Sequence, residues 1–90
     1  MPKKIAVLVR DRQAEALRMA VGLAIQHDKV DAFIMDQELD VDDPAIALNL
    51  EMLSELSVRV GSNNARNRFE FLTTEEIATA LVQYDSVIPY

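Results

Sequence analysis

The first apolar segment of the chain, from Lys4 to Val9, is continuous and does not alternate between apolar and polar residues. Such a run is typical of a strand that is covered on both faces by helices. Two further apolar runs, from Val30 to Met35 and from Val58 to Val60, are separated by stretches with helical spacing. Strands that alternate with helices need crossover connections. The sequence therefore predicts an α/β fold with a mostly parallel sheet of four to five strands and helices on both faces.

The segment from Gln13 to Gln26 has the spacing of a helix with a narrow polar stripe. Glu15, Arg18 and Gly22 fall on this stripe, and apolar residues occupy the wide remaining arc. A helix that packs on one face of a sheet needs a narrower apolar arc. We therefore expect part of this arc to contact another subunit.

Two further helices have clear start signals. Asp43 followed by Pro44 is typical of an N-cap and a first helical residue, and it predicts a helix that runs to about Leu56. Thr73 and Glu76 fit a reciprocal capping box at the start of a third helix. The residues predicted to share one face of this third helix are Ile77, Ala80, Leu81 and Tyr84.

The polar stretch from Gly61 to Arg68 does not fit a regular crossover. A parallel crossover usually takes about a dozen residues or more, and this loop is shorter. The extended segment from Phe69 to Leu72 is therefore either an edge addition or reached by an abbreviated connection. A last strand is predicted from Ser86 to Ile88.

The composition predicts one packed domain over residues 1–90 and excludes thiol chemistry. Half of the residues are hydrophobic, and there are only two Gly and three Pro. Without cysteine the chain holds no disulfide, thiolate zinc site, iron–sulfur cluster or persulfide. Nine Lys and Arg against fifteen Asp and Glu give a net charge of −6, which argues against a nucleic-acid partner. The apolar runs are too short to cross a membrane, and a cytoplasmic protein is expected.

Open parallel sheets bind ligands beyond the carboxyl ends of their strands. Polar residues of the predicted strand-end loops meet at this edge, where guanidinium groups and amides can bind an anion. These candidate residues are Arg10, Arg12, Ser62, Asn63, Asn64, Arg66 and Arg68. The alternative interpretation is that the arginines pair with the many Asp and Glu side chains of this acidic chain.

Other ligand and catalytic motifs are missing from the sequence. The acidic loop from Asp36 to Asp43 lacks the glycine of a calcium loop, and the loop after Gly61 lacks the ending of a phosphate-binding loop. The one histidine, His27, has no cysteine or identified serine partner, so a surface role is expected. The sequence predicts no metal and no cofactor, and it argues against an enzyme.

Six segments spaced along the chain carry a family pattern. They are Lys-Ile-Ala-Val-Leu-Val-Arg-Asp at the start, Glu-Ala-Leu-Arg-Met-Ala in the first helix, Val-Asp-Ala-Phe-Ile-Met-Asp, Val58-Arg59-Val60 before a loop with Ala65-Arg66, Phe71-Leu72-Thr73, and Tyr84-Asp85-Ser86-Val87-Ile88. In order and character they resemble the DsrE/DsrF/DsrH-like sulfur-relay proteins over most of the chain. The likeness consists of pattern and order rather than of one diagnostic motif.

The resemblance implies a small three-layer, flavodoxin-like subunit that assembles into trimers or hexamers, with itself or with related subunits. It also implies that active members pass persulfide sulfur on a cysteine in the loop after the third or a later strand. The most similar loop here runs from Gly61 to Asn67 and contains only Gly, Ser, Asn, Ala and Arg. The sulfur-carrying position is absent, so this chain resembles a member that cannot carry sulfur itself.

Two functions therefore stay open at the level of sequence. The leading hypothesis is a non-catalytic, oligomeric DsrE-like domain that works through protein–protein contacts, because the apolar arc of the first helix is wide and cysteine is missing. The alternative is a protein that binds a small anion or a nucleotide through arginines at the strand ends.

Overall fold

The computed structural model describes residues 3–26 and 29–90. Within these ranges the elements follow in the order β1 (Lys4–Val9), α1 (Gln13–Ile25), β2 (Lys29–Ile34), α2 (Pro44–Glu55), β3 (Arg59–Ser62), β4 (Glu70–Phe71), α3 (Thr74–Leu81) and β5 (Ser86–Pro89). His27, for which a surface role is expected, lies outside the described residues. The alternation of strands and helices confirms the predicted α/β class.

The five described strands are all parallel and form one sheet in the order β4-β3-β2-β1-β5. In the register of the central strands, Val7 of β1 lies between Ala32 of β2 and Ile88 of β5. The predicted parallel sheet is therefore confirmed. The strand order reverses between β1 and β5, so two distant parts of the chain end side by side at this point of the carboxyl edge.

Helices α1 and α2 cover one face of the sheet, which we call the two-helix face. Its core combines Val7 and Val9 of β1 with Leu17 of α1 and Leu53 of α2, all of them completely buried. Alternate residues of each strand point to the opposite face, because successive side chains of a strand leave the sheet on opposite sides.

Of the three described helices, α3 covers this opposite face, which we call the one-helix face. Its core of buried residues consists of Ala6, Phe33 and Ile77. Since helices lie on both sides of the sheet, the predicted three-layer arrangement of a small flavodoxin-like fold is confirmed.

Both predicted helix starts are confirmed by the capping contacts. The Oδ1 of Asp43 accepts a hydrogen bond from the Ala45 N–H at 2.9 Å, with Pro44 as the first helical residue. The Thr73 hydroxyl accepts from the Glu76 N–H at 3.1 Å, while the Glu76 carboxylate accepts from the Thr73 N–H at 3.0 Å. None of the helices in residues 3–26 and 29–90 has the length and apolar character needed to span a membrane.

The connection between β3 and β4 contains no helix, yet β4 is parallel to β3 and forms the edge of the sheet. Both alternatives considered for the Phe69 segment therefore apply. The register explains the short connection: β4 pairs only with the last two residues of β3, Gly61 with Glu70 and Ser62 with Phe71. The loop does not need to travel back along a whole strand.

Several element boundaries shift by one or two residues from the prediction, and two of these differences, in β3 and α3, affect the packing. Strand β3 continues through Gly61 to Ser62, although the glycine was expected to end it. A side chain at Gly61 would lie 3.2 Å from atoms of Phe33 and Leu72, so the glycine permits close packing inside the sheet. Helix α3 ends at Leu81, so Tyr84 lies beyond the helix and not on its face. The turn that follows the helix has the tighter i to i+3 hydrogen bonding, with the Tyr84 N–H donating to the Leu81 carbonyl at 3.1 Å.

Candidate functional site

The predicted arginines lie after the carboxyl ends of their strands but line separate grooves. The Arg12 guanidinium lies 3.7 Å from the Glu15 carboxylate, in a groove that also contains other acidic residues. Arg66 and Arg68 line a second groove that shares no residue with the first. Arg10 is exposed and lines neither groove. The structure therefore does not bring the four guanidinium groups into one cleft.

Ser62 is completely buried, and its hydroxyl is used within the protein. The Oγ donates to the Ile34 carbonyl at 2.8 Å and accepts from the Asn64 N–H at 3.0 Å and from the Asn67 Nδ2 at 2.8 Å. A hydroxyl has one proton to donate and two lone pairs, so these three bonds use its full capacity. Through these hydrogen bonds, Ser62 connects the end of β3 to the end of β2 and to the loop that follows β3.

Asn63 and Asn64 connect the loop after β3 to the loop after β2. The Oδ1 of Asn63 accepts from the Asp36 N–H at 2.6 Å, and its Nδ2 donates to the Asp36 carboxylate at 3.0 Å and to the Thr74 hydroxyl at 2.9 Å. The Nδ2 of Asn64 donates to the Asp36 carbonyl at 3.1 Å, and its Oδ1 accepts from the Arg66 N–H at 2.9 Å. Both amide groups hold the protein's own loops together.

Asp36 is the residue on which most of these bonds converge. Its φ of 65° is in the left-handed region, which non-glycine residues rarely adopt and which Asp and Asn tolerate best. Bonds from Asn63 and Asn64 reach its N–H, its carboxylate and its carbonyl. These bonds offset the local strain and fix the turn that ends β2.

Asn67 is not among the predicted site residues, although its side chain is buried and central to the same junction. Its Oδ1 accepts from the Leu39 N–H at 2.8 Å, and its Nδ2 donates to the Gln37 carbonyl at 3.1 Å and to Ser62. The available signal was the repetition of asparagine in one strand-end loop. Such a loop can be fixed by amide bonds to the chain as readily as it can bind a ligand.

The second groove, which we call the arginine groove, lies between the loop after β2 and the loop after β3. It encloses about 430 Å³, and we call its apolar lining residues, Leu39, Val41 and Phe69, the floor of the groove. This volume falls within the range of small-molecule sites. Its lining residues are Glu38, Leu39, Val41, Arg66, Asn67, Arg68 and Phe69.

A third groove, the α1 groove, lies on the outer side of α1 near the end of β5. It encloses about 290 Å³, and Met19, Gly22, Leu23 and Tyr90 form the less polar part of its lining. A Cβ built on Gly22 would meet no atom of the described chain within 4 Å. Its remaining lining residues are Glu15, Arg18 and Gln26.

A polar cluster that was missed from the sequence lies on the one-helix face. Asp31 of β2 is buried, and its carboxylate accepts a hydrogen bond from the Tyr84 hydroxyl at 2.5 Å. The Tyr84 ring meets Phe33 edge-on with centroids 6.0 Å apart, and the Lys4 ammonium lies 4.6 Å from its centre. Burial, together with the bond to Asp31, raises the pKa of Tyr84 well above its ordinary value. The tyrosine is therefore a protonated hydrogen-bond donor rather than a nucleophile.

Arg59 and Glu70 form a bidentate pair beside this cluster. Their two hydrogen bonds are both 2.8 Å long, and both side chains are about half exposed. The hydrogen bond to Arg59 lowers the pKa of Glu70, and the same bond raises the pKa of Arg59. The pair joins the edge strand β4 to β3.

Within residues 3–26 and 29–90, no group of three or more His, Cys, Asp or Glu side chains has the geometry of a metal site. The acidic side chains of the loop after β2 are spread along its surface. Among them, Asp43 caps α2.

Comparison of the chain with protein-family models, with curated proteins and with solved structures found no match. The resemblance to the DsrE/DsrF/DsrH-like proteins therefore stands on the sequence segments quoted above.

Proposed function

We propose that this protein is a non-catalytic subunit of a homo-oligomer that works through protein–protein contacts. In this proposal it is a DsrE-like relative that keeps the assembly and does not carry sulfur, since it has no cysteine. The partner that occupies the α1 groove is a second copy of the same chain.

The observation that carries the proposal is Gly22 in the middle of α1. Glycine is about 1 kcal/mol less favourable than alanine inside a helix. Nothing in the described chain approaches the position of its missing Cβ within 4 Å, so the fold of the subunit does not require a glycine there. A glycine at this position allows the backbone of another chain to approach α1 closely.

The surroundings of Gly22 support an apolar contact. Met19 is 39% exposed and Ile25 is 56% exposed, although both belong to an otherwise apolar arc of α1. Leu23 and Tyr90 complete the apolar part of the α1 groove. Covering such side chains removes apolar surface from water, which stabilises association.

The rim of the α1 groove favours a second copy as the partner. It carries the acidic Glu15 and the basic Arg18 on the same helix face. When two copies meet about a two-fold axis, the acidic side chain of each copy can lie opposite the basic side chain of the other. Such an isologous contact pairs the subunits, so the assembly contains an even number of them. The resemblance implies a trimer or a hexamer, and only the hexamer has an even number.

Sedimentation equilibrium of the purified protein, with Gly22→Lys and its control Ala78→Lys, tests the proposal. Ala78 is exposed on α3, away from the α1 groove. Lysine is a better helix former than glycine and only slightly worse than alanine. Gly22→Lys should therefore not lower the free energy of unfolding of the subunit, and Ala78→Lys should lower it by less than about 0.5 kcal/mol. Gly22→Lys should raise the dissociation constant by about tenfold or more, since it places a charge inside the contact. Ala78→Lys should leave it unchanged.

The wild-type mass decides the proposal. A monomer at micromolar concentration overturns it, and a trimer overturns the isologous contact. A dimer or a hexamer that is weakened by Gly22→Lys but not by Ala78→Lys supports the contact. A hexamer also supports the proposed family relation.

A further inference from the structure

We propose that the arginine groove binds a small amphipathic anion, a molecule with a phosphate or carboxylate head and a compact apolar body. The head lies between Arg66 and Arg68, and the body lies on the floor formed by Leu39, Val41 and Phe69. This inference goes beyond the proposed function, because the groove is at the β3–β4 side of the sheet and the α1 groove is near β5.

The charges favour an anionic head. The chain has a net charge of −6, yet neither Arg66 nor Arg68 forms an ion pair with an acidic side chain of the described residues. Arg12 and Arg59 have such partners, whereas Arg10 and Arg18 have none among the described residues either. What distinguishes Arg66 and Arg68 is that both line the same groove. Guanidinium groups bind phosphate and carboxylate oxygens through paired N–H donors.

The floor of the groove favours an apolar body. Leu39 is buried, Phe69 is half-buried, and Val41 is 55% exposed although it is apolar. A body that covers Val41 removes apolar surface from water. The volume of about 430 Å³ leaves room for a ring or a short aliphatic chain in addition to the head.

The walls of the groove are held in place before any ligand binds. Asn67 fixes the two loops to each other through the Leu39 N–H at 2.8 Å and the Gln37 carbonyl at 3.1 Å. The Arg66 backbone is held by Asn64 at 2.9 Å. A preformed groove avoids the entropic cost of ordering loops on binding.

Glu38 places a negative charge at the arginine groove, and its effect on anion binding can be tested. Its carboxylate is exposed at the same groove and repels an anion. Removing this charge should strengthen binding, whereas removing an arginine should weaken it. Comparison with a charge-matched pair of arginines outside the groove then distinguishes a site from a general attraction to surface arginines.

The experiment is an NMR titration of backbone amides of the full chain at low ionic strength with phenyl phosphate, inorganic phosphate and phenol. Phenyl phosphate contains both parts, and the other probes contain one part each. We expect phenyl phosphate to bind about tenfold more tightly than either single-part probe, with shifts at the arginine groove. Benzoate and adenosine monophosphate then distinguish a carboxylate head from a phosphate head and a small ring from a nucleotide.

Four variants complete the test. Arg66→Ala with Arg68→Ala should weaken phenyl phosphate binding by about tenfold or more, and Val41→Asp by about fivefold. Glu38→Gln should strengthen it by about twofold. The control, Arg10→Ala with Arg12→Ala, removes the same formal charge and should change binding by less than about twofold.

Equal binding of phenyl phosphate and inorganic phosphate, or equal losses in the two double variants, overturns the proposal. So does the absence of saturable shifts at the groove. The oligomeric state of the Arg66, Arg68 double variant should equal that of the wild type, so failure here does not depend on the α1 contact.

Discussion

The two faces of the sheet are covered in different ways. Among residues 3–26 and 29–90, twelve buried apolar residues form one continuous core on the two-helix face, under α1 and α2. In the same part of the chain, three buried residues, Ala6, Phe33 and Ile77, form the core on the one-helix face, under α3. Around this small core, five half-buried residues complete the apolar cover: Leu8, Met35, Leu72, Leu81 and Tyr84. Asp31 and the Arg59–Glu70 pair add polar contacts on the same side.

This difference shows how a short chain completes a three-layer fold. A domain of this size buries only about 60% of the surface that its unfolded chain exposes, so a second full apolar layer is difficult to build. An eight-residue helix covers part of the one-helix face, and half-buried apolar side chains together with polar contacts complete it. The two faces should therefore respond differently to substitution.

The largest expected effect is the loss of a core side chain on the two-helix face. Leu17→Ala should lower the free energy of unfolding by about 3 to 4 kcal/mol, because the dense surroundings leave a cavity. Ile77→Ala should cost about 2 kcal/mol, because the thinner cover can collapse or admit water. Urea unfolding measures both, with exposed Leu48→Ala as the control. A larger loss for Ile77→Ala than for Leu17→Ala would contradict the comparison.

The next effect concerns the hydroxyl that supports Asp31. Tyr84→Phe should lower the free energy of unfolding by about 2 kcal/mol, because a buried carboxylate loses its hydrogen-bond donor. Restoring part of this loss in the double variant Tyr84→Phe, Asp31→Val would show that the unpaired carboxylate is the cause. A neutral result for Tyr84→Phe would mean that the polar contact does not hold this face.

Tyr84 also gives the one-helix face a dependence on alkaline pH. Its pKa is raised in the folded protein, so its contribution is fully present below the ordinary tyrosine pKa of about 10. As the pH rises from there toward the raised value, the unfolded state releases its proton first and stability falls. The measurement is urea unfolding at increasing alkaline pH. Tyr84→Phe should show a shallower decline than the wild type, and parallel declines would contradict this assignment.

The smallest expected effect is that of the exposed Arg59–Glu70 pair. Glu70→Gln should cost about 0.5 kcal/mol, since half-exposed ion pairs are screened by solvent. The pKa of Glu70 is lowered, so its contribution is present above the ordinary glutamate pKa of about 4.3 and is lost as the pH falls toward the lowered value. Comparison of acid unfolding in wild type and Glu70→Gln measures this. A cost as large as that of Tyr84→Phe would contradict this order and show that the edge pair contributes as much to the one-helix face as Tyr84 does.

The elements that were predicted correctly depend on residues close in sequence. The Asp43–Pro44 start of α2 and the Thr73–Glu76 box of α3 are contacts within one helical turn, and both are present. The predicted end of β3 was wrong, because glycine in a sequence usually indicates a turn. At Gly61 it instead allows close packing against Phe33 and Leu72, which are distant in the sequence.

The hydrogen bonds of the candidate site residues were not predictable from the sequence. Ser62, Asn63 and Asn64 lie at the carboxyl edge, and their side chains bond to other parts of the protein, including Ile34 and Asp36. Whether an amide binds a ligand or a loop depends on what lies opposite, and residues almost thirty positions away decide that. The partner of Asp31 could not be predicted, since Tyr84 is fifty-three positions away.

The sequence by itself determined the alternation of strands and helices, the parallel sheet, the helix caps and the absence of thiol chemistry. These properties depend on composition and on spacing within a few residues. Only the tertiary structure decided the strand order, the separation of Arg12 from Arg66 and Arg68, and the pairing of Asp31 with Tyr84. Those properties arise when distant segments pack together, and close packing depends on shapes that no single segment contains.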